Sequence, residues 1–147
     1  MPRILILNGP NLNMLGLRQP QIYGSETLAD VEVKCLAHAK TIGATVDFRQ
    51  SNHEGVLVEA LHEARTEFDG VILNAGAYTH TSVALMDAIS ASETPVIELH
   101  ISNVHAREAF RHTSYIAPVA LGVICGFGTR GYTLAMDALL SHLEPGA

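Results

Sequence analysis

The sequence predicts an α/β domain on a doubly wound, parallel, five-stranded sheet of order 2-1-3-4-5. Short aliphatic runs alternate with segments patterned for helix. The first run, Ile4-Leu5-Ile6-Leu7, is apolar along its length, as strands covered on both faces are. Only five runs occur, which favours this order over longer doubly wound sheets.

The first strand is expected at residues 3–8, where Ile4-Leu5-Ile6-Leu7 is a continuous apolar run. Helix 27–42 follows. Thr27 and Asp30 form a capping-box pattern, Leu28, Val31, Cys35, Ala39 and Ile42 repeat at helical spacing, and Gly43 suits a left-handed C-terminus. Strand 45–50 and helix 54–68 come next, then strand 70–74 and helix 82–91, whose inner face carries Leu85, Ala88 and Ile89. Strand 95–99, a short helix at 106–111, strand 119–125 and helix 132–143 complete the pattern.

With 147 residues the chain suits one domain with a sizeable core, read here as a single catalytic unit over 1–147. A hydrophobic content of 48% leaves apolar side chains for contacts between copies, so a homo-oligomer is expected. The net charge of −6 argues against nucleic acid as a partner. The first apolar run is too short for a signal peptide or a membrane span. Cys35 and Cys125 lie in apolar segments without a CxxC pair and are expected to be reduced core residues of a cytoplasmic protein.

In a sheet of this kind ligands bind beyond the carboxyl ends of the strands. That rim carries Asn8 and Asn11 after strand one, and Gln50, Asn52 and His53 after strand two. Asn74 and His80 follow strand three, and Glu98, His100, Ile101 and Ser102 end strand four. The loop at about 9–25 is far longer than the usual strand-to-helix connection of about 2–6 residues. Leu12, Met14, Leu15, Leu17, Ile22 and Tyr23 make it too apolar for a solvated tail. It is expected to be an active-site lid, with Arg18 and Tyr23 as an acid–base pair. A phenol of ordinary pKa near 10 becomes a base near 7 only with roughly 4 kcal/mol of preference for the phenolate. A neighbouring guanidinium in a water-poor site supplies much of that.

Other chemistries lack their residues. Gly126-Phe127-Gly128-Thr129-Arg130-Gly131 matches GxGxxG, but no further strand with a ribose-binding acid follows it. It is expected to be a tight turn that packs the last helix, with no cofactor. The eight histidines include no HExxH cluster; His80 and His100 differ from the helical ones by lying on the rim, and nothing favours a metal there. No GxSxG elbow or P-loop occurs. The only lysines, Lys34 and Lys40, fall off the apolar stripe of the first helix, which disfavours imine chemistry. Asp87 points away from Leu85, Ala88 and Ile89, either as a solvated acid or toward a neighbouring subunit.

Residues 8–24, Gln50-Ser51-Asn52-His53-Glu54-Gly55, 74–88, 95–111 and 126–132 together closely resemble the type II 3-dehydroquinate dehydratases over nearly the whole chain. Two positions depart from that pattern: Gln19 stands where an acid is usual, and Ala75 where Pro is usual. The resemblance implies a flavodoxin-like fold, assembled as trimers within a dodecamer. It implies conversion of 3-dehydroquinate to 3-dehydroshikimate and water through an enolate, without metal, cofactor or imine. Tyr23 would be the base, Arg18 the stabiliser of its phenolate, and Asn11 the holder of a water against the enolate. His100 would be the acid, oriented and charged by Glu98. Asn74, His80, Arg111 and the backbone of Ile101 and Ser102 would bind substrate, and Asp87 would reach the adjacent subunit's site. The same chemistry serves aromatic biosynthesis and quinate breakdown. The competing reading is a non-catalytic binding module for a nucleotide or flavin, which would copurify with a chromophore.

Overall fold

The computed structural model describes residues 1–17 and 24–144. Its sheet is parallel throughout, in the order β2-β1-β3-β4-β5. The strands are β1 (Arg3–Asn8), β2 (Thr45–Gln50), β3 (Gly70–Asn74), β4 (Val96–His100) and β5 (Gly122–Cys125). The helices are α1 (Leu28–Ile42), α2 (Glu54–Glu67), α3 (Val83–Ser92) and α4 (Arg130–Leu143).

Two apolar layers form because side chains alternate across each strand. Leu5, Leu7, Val71, Leu73 and Val96 pack with Leu57, Leu61, Leu85 and Ile89 of α2 and α3. Ile4, Ile6, Ile72, Ile97 and Leu99 pack with Val31, Cys35, Tyr132, Met136 and Leu139 of α1 and α4. The Thr27–Asp30 capping box forms with both hydrogen bonds, and Gly43 closes α1 at φ 73°.

Two elements depart from the sequence expectation. Residues 106–111 do not form a helix; two 3-10 turns, Val104–Ala106 and Ala109–His112, flank extended backbone at Arg107 and Glu108. Residues 105–110 are exposed, so no buried face supports a longer helix. The last strand begins at Gly122 rather than 119, because Ala117–Val119, with Pro118 inside, is a 3-10 turn. Cys35 is a core residue, and burial pushes its thiol up to about 12. Cys125 is only half-buried, because β5 is an edge strand.

Glycines in the last turn allow close approach. Gly126 and Gly128 adopt φ 92° and 62°. A Cβ at Gly131 would lie 2.7 Å from Leu99 Cδ1, so the GxGxxG stretch seats α4 on the sheet. At the end of β1, a Cβ on Gly9 would stand 2.6 Å from the carbonyl oxygen of Ala75. That neighbour is backbone and cannot rotate aside. Gly9→Ala is therefore expected to cost about 3 kcal/mol, read as a lower urea midpoint at unchanged m-value.

Candidate active site

Register aligns the polar strand ends in one row. Asn8 pairs with Gln50 on one side and Asn74 on the other, and His100 pairs with Cys125. Parity then decides which face each side chain meets. Asn8 and Asn74 follow Ile6 and Ile72 in phase, so they turn toward α4. The Tyr132 hydroxyl donates to Asn8 Oδ1 at 2.6 Å and accepts from Asn74 Nδ2 at 3.1 Å. Asn74 Oδ1 accepts the Gly76 N–H at 3.3 Å. Burial raises Tyr132 above the ordinary phenol value, so its hydroxyl stays protonated.

Glu98 and His100 follow Val96 in phase, on the opposite face. His100 Nε2 lies 2.6 Å from Glu98 Oε2, and both residues are almost fully buried. A pair this deep offsets its desolvation only if the remaining lone pairs are also satisfied. Ser114 Oγ meets that need by donating to Glu98 Oε1 at 2.9 Å. The His80 ring lies nearly parallel to His100, centroids 6.3 Å apart, and its Nδ1 donates to the Thr113 carbonyl at 2.8 Å. Phe110 meets His80 edge-on at 6.4 Å, and the Arg111 guanidinium sits 4.9 Å above the Phe110 ring. Arg111 Nε donates to Glu108 Oε2 at 2.7 Å; a hydrogen bond from its own backbone N–H, and then this pair, hold the carboxyl of Glu108 below its usual range.

The loop after β1 is tied to β2. Asn11 adopts the left-handed conformation at φ 70°, which Asn tolerates better than most residues. Its N–H donates to Asn52 Oδ1 at 3.0 Å. Gln50 Nε2 reaches Gly9 O at 3.2 Å and Asn52 Oδ1 at 3.1 Å, and the Tyr78 hydroxyl donates to Asn52 O at 2.9 Å. The amide rim is thus a bonded network before any ligand is considered.

Of the residues singled out from sequence, Glu98, His100, His80 and Arg111 come together through these contacts. Ile101 and Ser102 follow β4 directly and are half-buried. Asn11 and Asn74 stand on the same edge. Asp87 is exposed on α3, away from its buried face. Arg18, Gln19 and Tyr23 lie outside the described residues. Lys34 is exposed and pairs with Glu26, and Lys40 is exposed. Among the described residues no group of three or more His, Cys, Asp or Glu is placed to hold a metal, and no helix is long and apolar enough to cross a membrane.

Residues 2–140 match the family described as Dehydroquinase class II. The chain belongs to the class II dehydroquinase family. It is 62% identical over 145 residues to a 3-dehydroquinate dehydratase of Ruegeria pomeroyi, covering 99% of this chain and 97% of that protein. A 3-dehydroquinate dehydratase 2 of Pseudomonas aeruginosa is 56% identical over 144 residues, with 98% and 97% covered. The crystal structure of type II dehydroquinase from Butyrivibrio crossotus superposes at a TM-score of 0.90 and 45% identity, over 94% of this chain and 97% of that one. The structure from Propionibacterium acnes gives 0.91 at 39% identity, over 96% and 97%.

The parallel sheet of order β2-β1-β3-β4-β5 agrees with the likeness to these type II dehydroquinase structures. Ala75, one of the two departures noted above, adopts φ −76°, a value proline also takes, so this backbone suits either residue. Several supporting residues were missed in the sequence. Tyr132 holds Asn74, Thr113 holds His80, and Ser114 holds Glu98. A tyrosine on the inner face of α4 was one usable signal, since a buried hydroxyl needs a partner. Ser114 offered none, because its partner lies in a strand 16 residues away, beyond any helical or strand period.

Proposed function

We propose that this chain dehydrates 3-dehydroquinate to 3-dehydroshikimate through an enolate, with Tyr23 as base and His100 as acid. The observation that carries the reading is the buried Glu98–His100 pair at the carboxyl edge of a class II dehydroquinase sheet. Tyr23 removes the proton beside the ketone, and Arg18 holds its phenolate. Electron density moves onto the ketone oxygen, where Asn11 steadies the enolate through a water. His100 gives its proton to the departing hydroxyl, and the enolate collapses to the conjugated enone. Asn74, His80, Arg111 and the backbone of Ile101 and Ser102 bind the substrate's carboxylate and hydroxyls. No imine is involved: both lysines are exposed on α1, and Lys34 is paired with Glu26.

The unit of function is the single domain 1–147, with the loop at about 9–25 as its lid, in a cytoplasmic dodecamer built of trimers. Exposure of the apolar Val83, Leu121 and Val123 supports contacts between copies. Asp87, exposed on the outer face of α3, reaches the adjacent site.

The test is ultraviolet absorbance of the purified protein mixed with 3-dehydroquinate, with and without borohydride. Rising enone absorbance, insensitive to borohydride, is the expected result. Absence of signal from assembled protein overturns the assignment. Mixing inactive Tyr23→Phe and Asp87→Asn proteins is expected to restore part of the activity once subunits exchange. No recovery after demonstrated exchange rules out a shared site.

A further inference from the structure

We propose that Ser114 is a positioning residue for the proton donor, acting through Glu98. This rests on the assignment of His100 as the acid. Ser114 Oγ accepts the N–H of Ile116 at 3.1 Å and of Ala117 at 2.9 Å. A hydroxyl has two lone pairs and one hydrogen. With both lone pairs engaged, its hydrogen goes to Glu98 Oε1 at 2.9 Å.

The consequence passes along the pair. Glu98 Oε1 is an acceptor, and Oε2 faces His100 Nε2 at 2.6 Å. A carboxylate accepting at both oxygens requires the hydrogen on Nε2. The opposite ring nitrogen, Nδ1, is then the one that exchanges a proton with a bound molecule. Ser114 thus sets the rotation of the carboxylate and, with it, the tautomer of His100.

The surrounding segment serves the same end. The Thr113 carbonyl takes the Nδ1–H of His80 at 2.8 Å, and the Tyr115 N–H donates to the Thr79 carbonyl at 2.9 Å. Residues 113–117 therefore pin both rim histidines from outside the sheet. Groups that face His100 are Glu98 on its own strand, His80 from the turn after β3, and Cys125, its register partner on β5.

A purely structural role is the alternative, in which Ser114 only starts the turn Ala117–Val119. The two roles separate by experiment on the full-length protein. Ser114→Ala is expected to lower kcat about tenfold with KM within about twofold, and Ser114→Thr, which keeps the hydroxyl, to restore kcat. Nitrogen-15 spectra of the histidine rings, read without substrate at the alkaline end of the stable range, supply the independent readout. The His100 signal is assigned with His100→Asn. Wild-type protein is expected to show the Nε2–H tautomer, and Ser114→Ala a mixture.

An Nδ1–H tautomer in the wild type overturns the proposal even if Ser114→Ala fails to fold. So does an unchanged His100 signal in folded Ser114→Ala, or equal loss of kcat in the Ala and Thr variants. If the wild type lacks dehydratase activity while Ser114→Ala still shifts the tautomer, positioning of His100 stands and the assigned reaction falls.

Discussion

Tyr23→Phe is expected to lower kcat on 3-dehydroquinate about 10³-fold, with KM within about twofold, since a general base contributes about 10²–10⁴-fold. The substitution removes one hydroxyl and keeps the ring, so the melting temperature is expected to stay close to that of the parent. The chain has four tyrosines. Tyr132 is committed to Asn8 and Asn74 and is shifted away from acidity by burial. Tyr78 donates to Asn52 O. Tyr115 sits exposed on the segment that holds the histidines. Tyr23 is the proposed base, and Arg18 on the same loop is proposed to favour its phenolate. The check is initial rate by enone absorbance across substrate concentration, beside a thermal melt. Retention of more than about a tenth of kcat removes Tyr23 from the base role.

The second large effect is expected at Glu98. Glu98→Gln keeps the shape and can still accept the Ser114 hydroxyl through its amide oxygen. Its amide nitrogen now points hydrogens at His100 Nε2, which must become an acceptor. The ring is driven to the opposite tautomer and loses its counter-charge. Loss of kcat of about 10²–10³-fold is expected, by the same logic that makes a neutralised carboxylate harmful in a hydrolytic triad. Stability is expected to stay within about 1 kcal/mol of the parent, because each polar atom keeps a partner. Glu98→Ala differs: it strands His100 and Ser114 in a buried site and is expected to cost about 3–5 kcal/mol. Comparing the two variants by steady-state kinetics and urea denaturation separates chemistry from folding. Equal destabilisation by Gln and Ala contradicts the tautomer argument.

Much of the architecture was legible because it rests on local periodicity. The continuous apolar runs of β1 and β3 and the stripe of α1 are set by neighbours a few residues apart. So is the Thr27–Asp30 box. The errors fell where such signals are weak. Residues 106–111 carry enough helix formers to suggest a helix, but exposure leaves nothing to support one. Apolar content at 119–121 suggests strand, yet the turn around Pro118 delays β5 to Gly122.

The sequence by itself determined the strand order and the family, and it supplied the base, acid and substrate-binding residues that are proposed here. It did so through motif spacing, aliphatic period and the family resemblance that the comparisons bear out. Tertiary structure alone decided how those groups are held. Strand parity sends Asn8 and Asn74 to Tyr132 on one face and Glu98 and His100 to Ser114 on the other. Those pairings join residues as far apart as Asn8 and Tyr132. No local pattern encodes them, because a hydrogen bond across the fold depends on where packing brings two chain segments, not on their spacing in sequence.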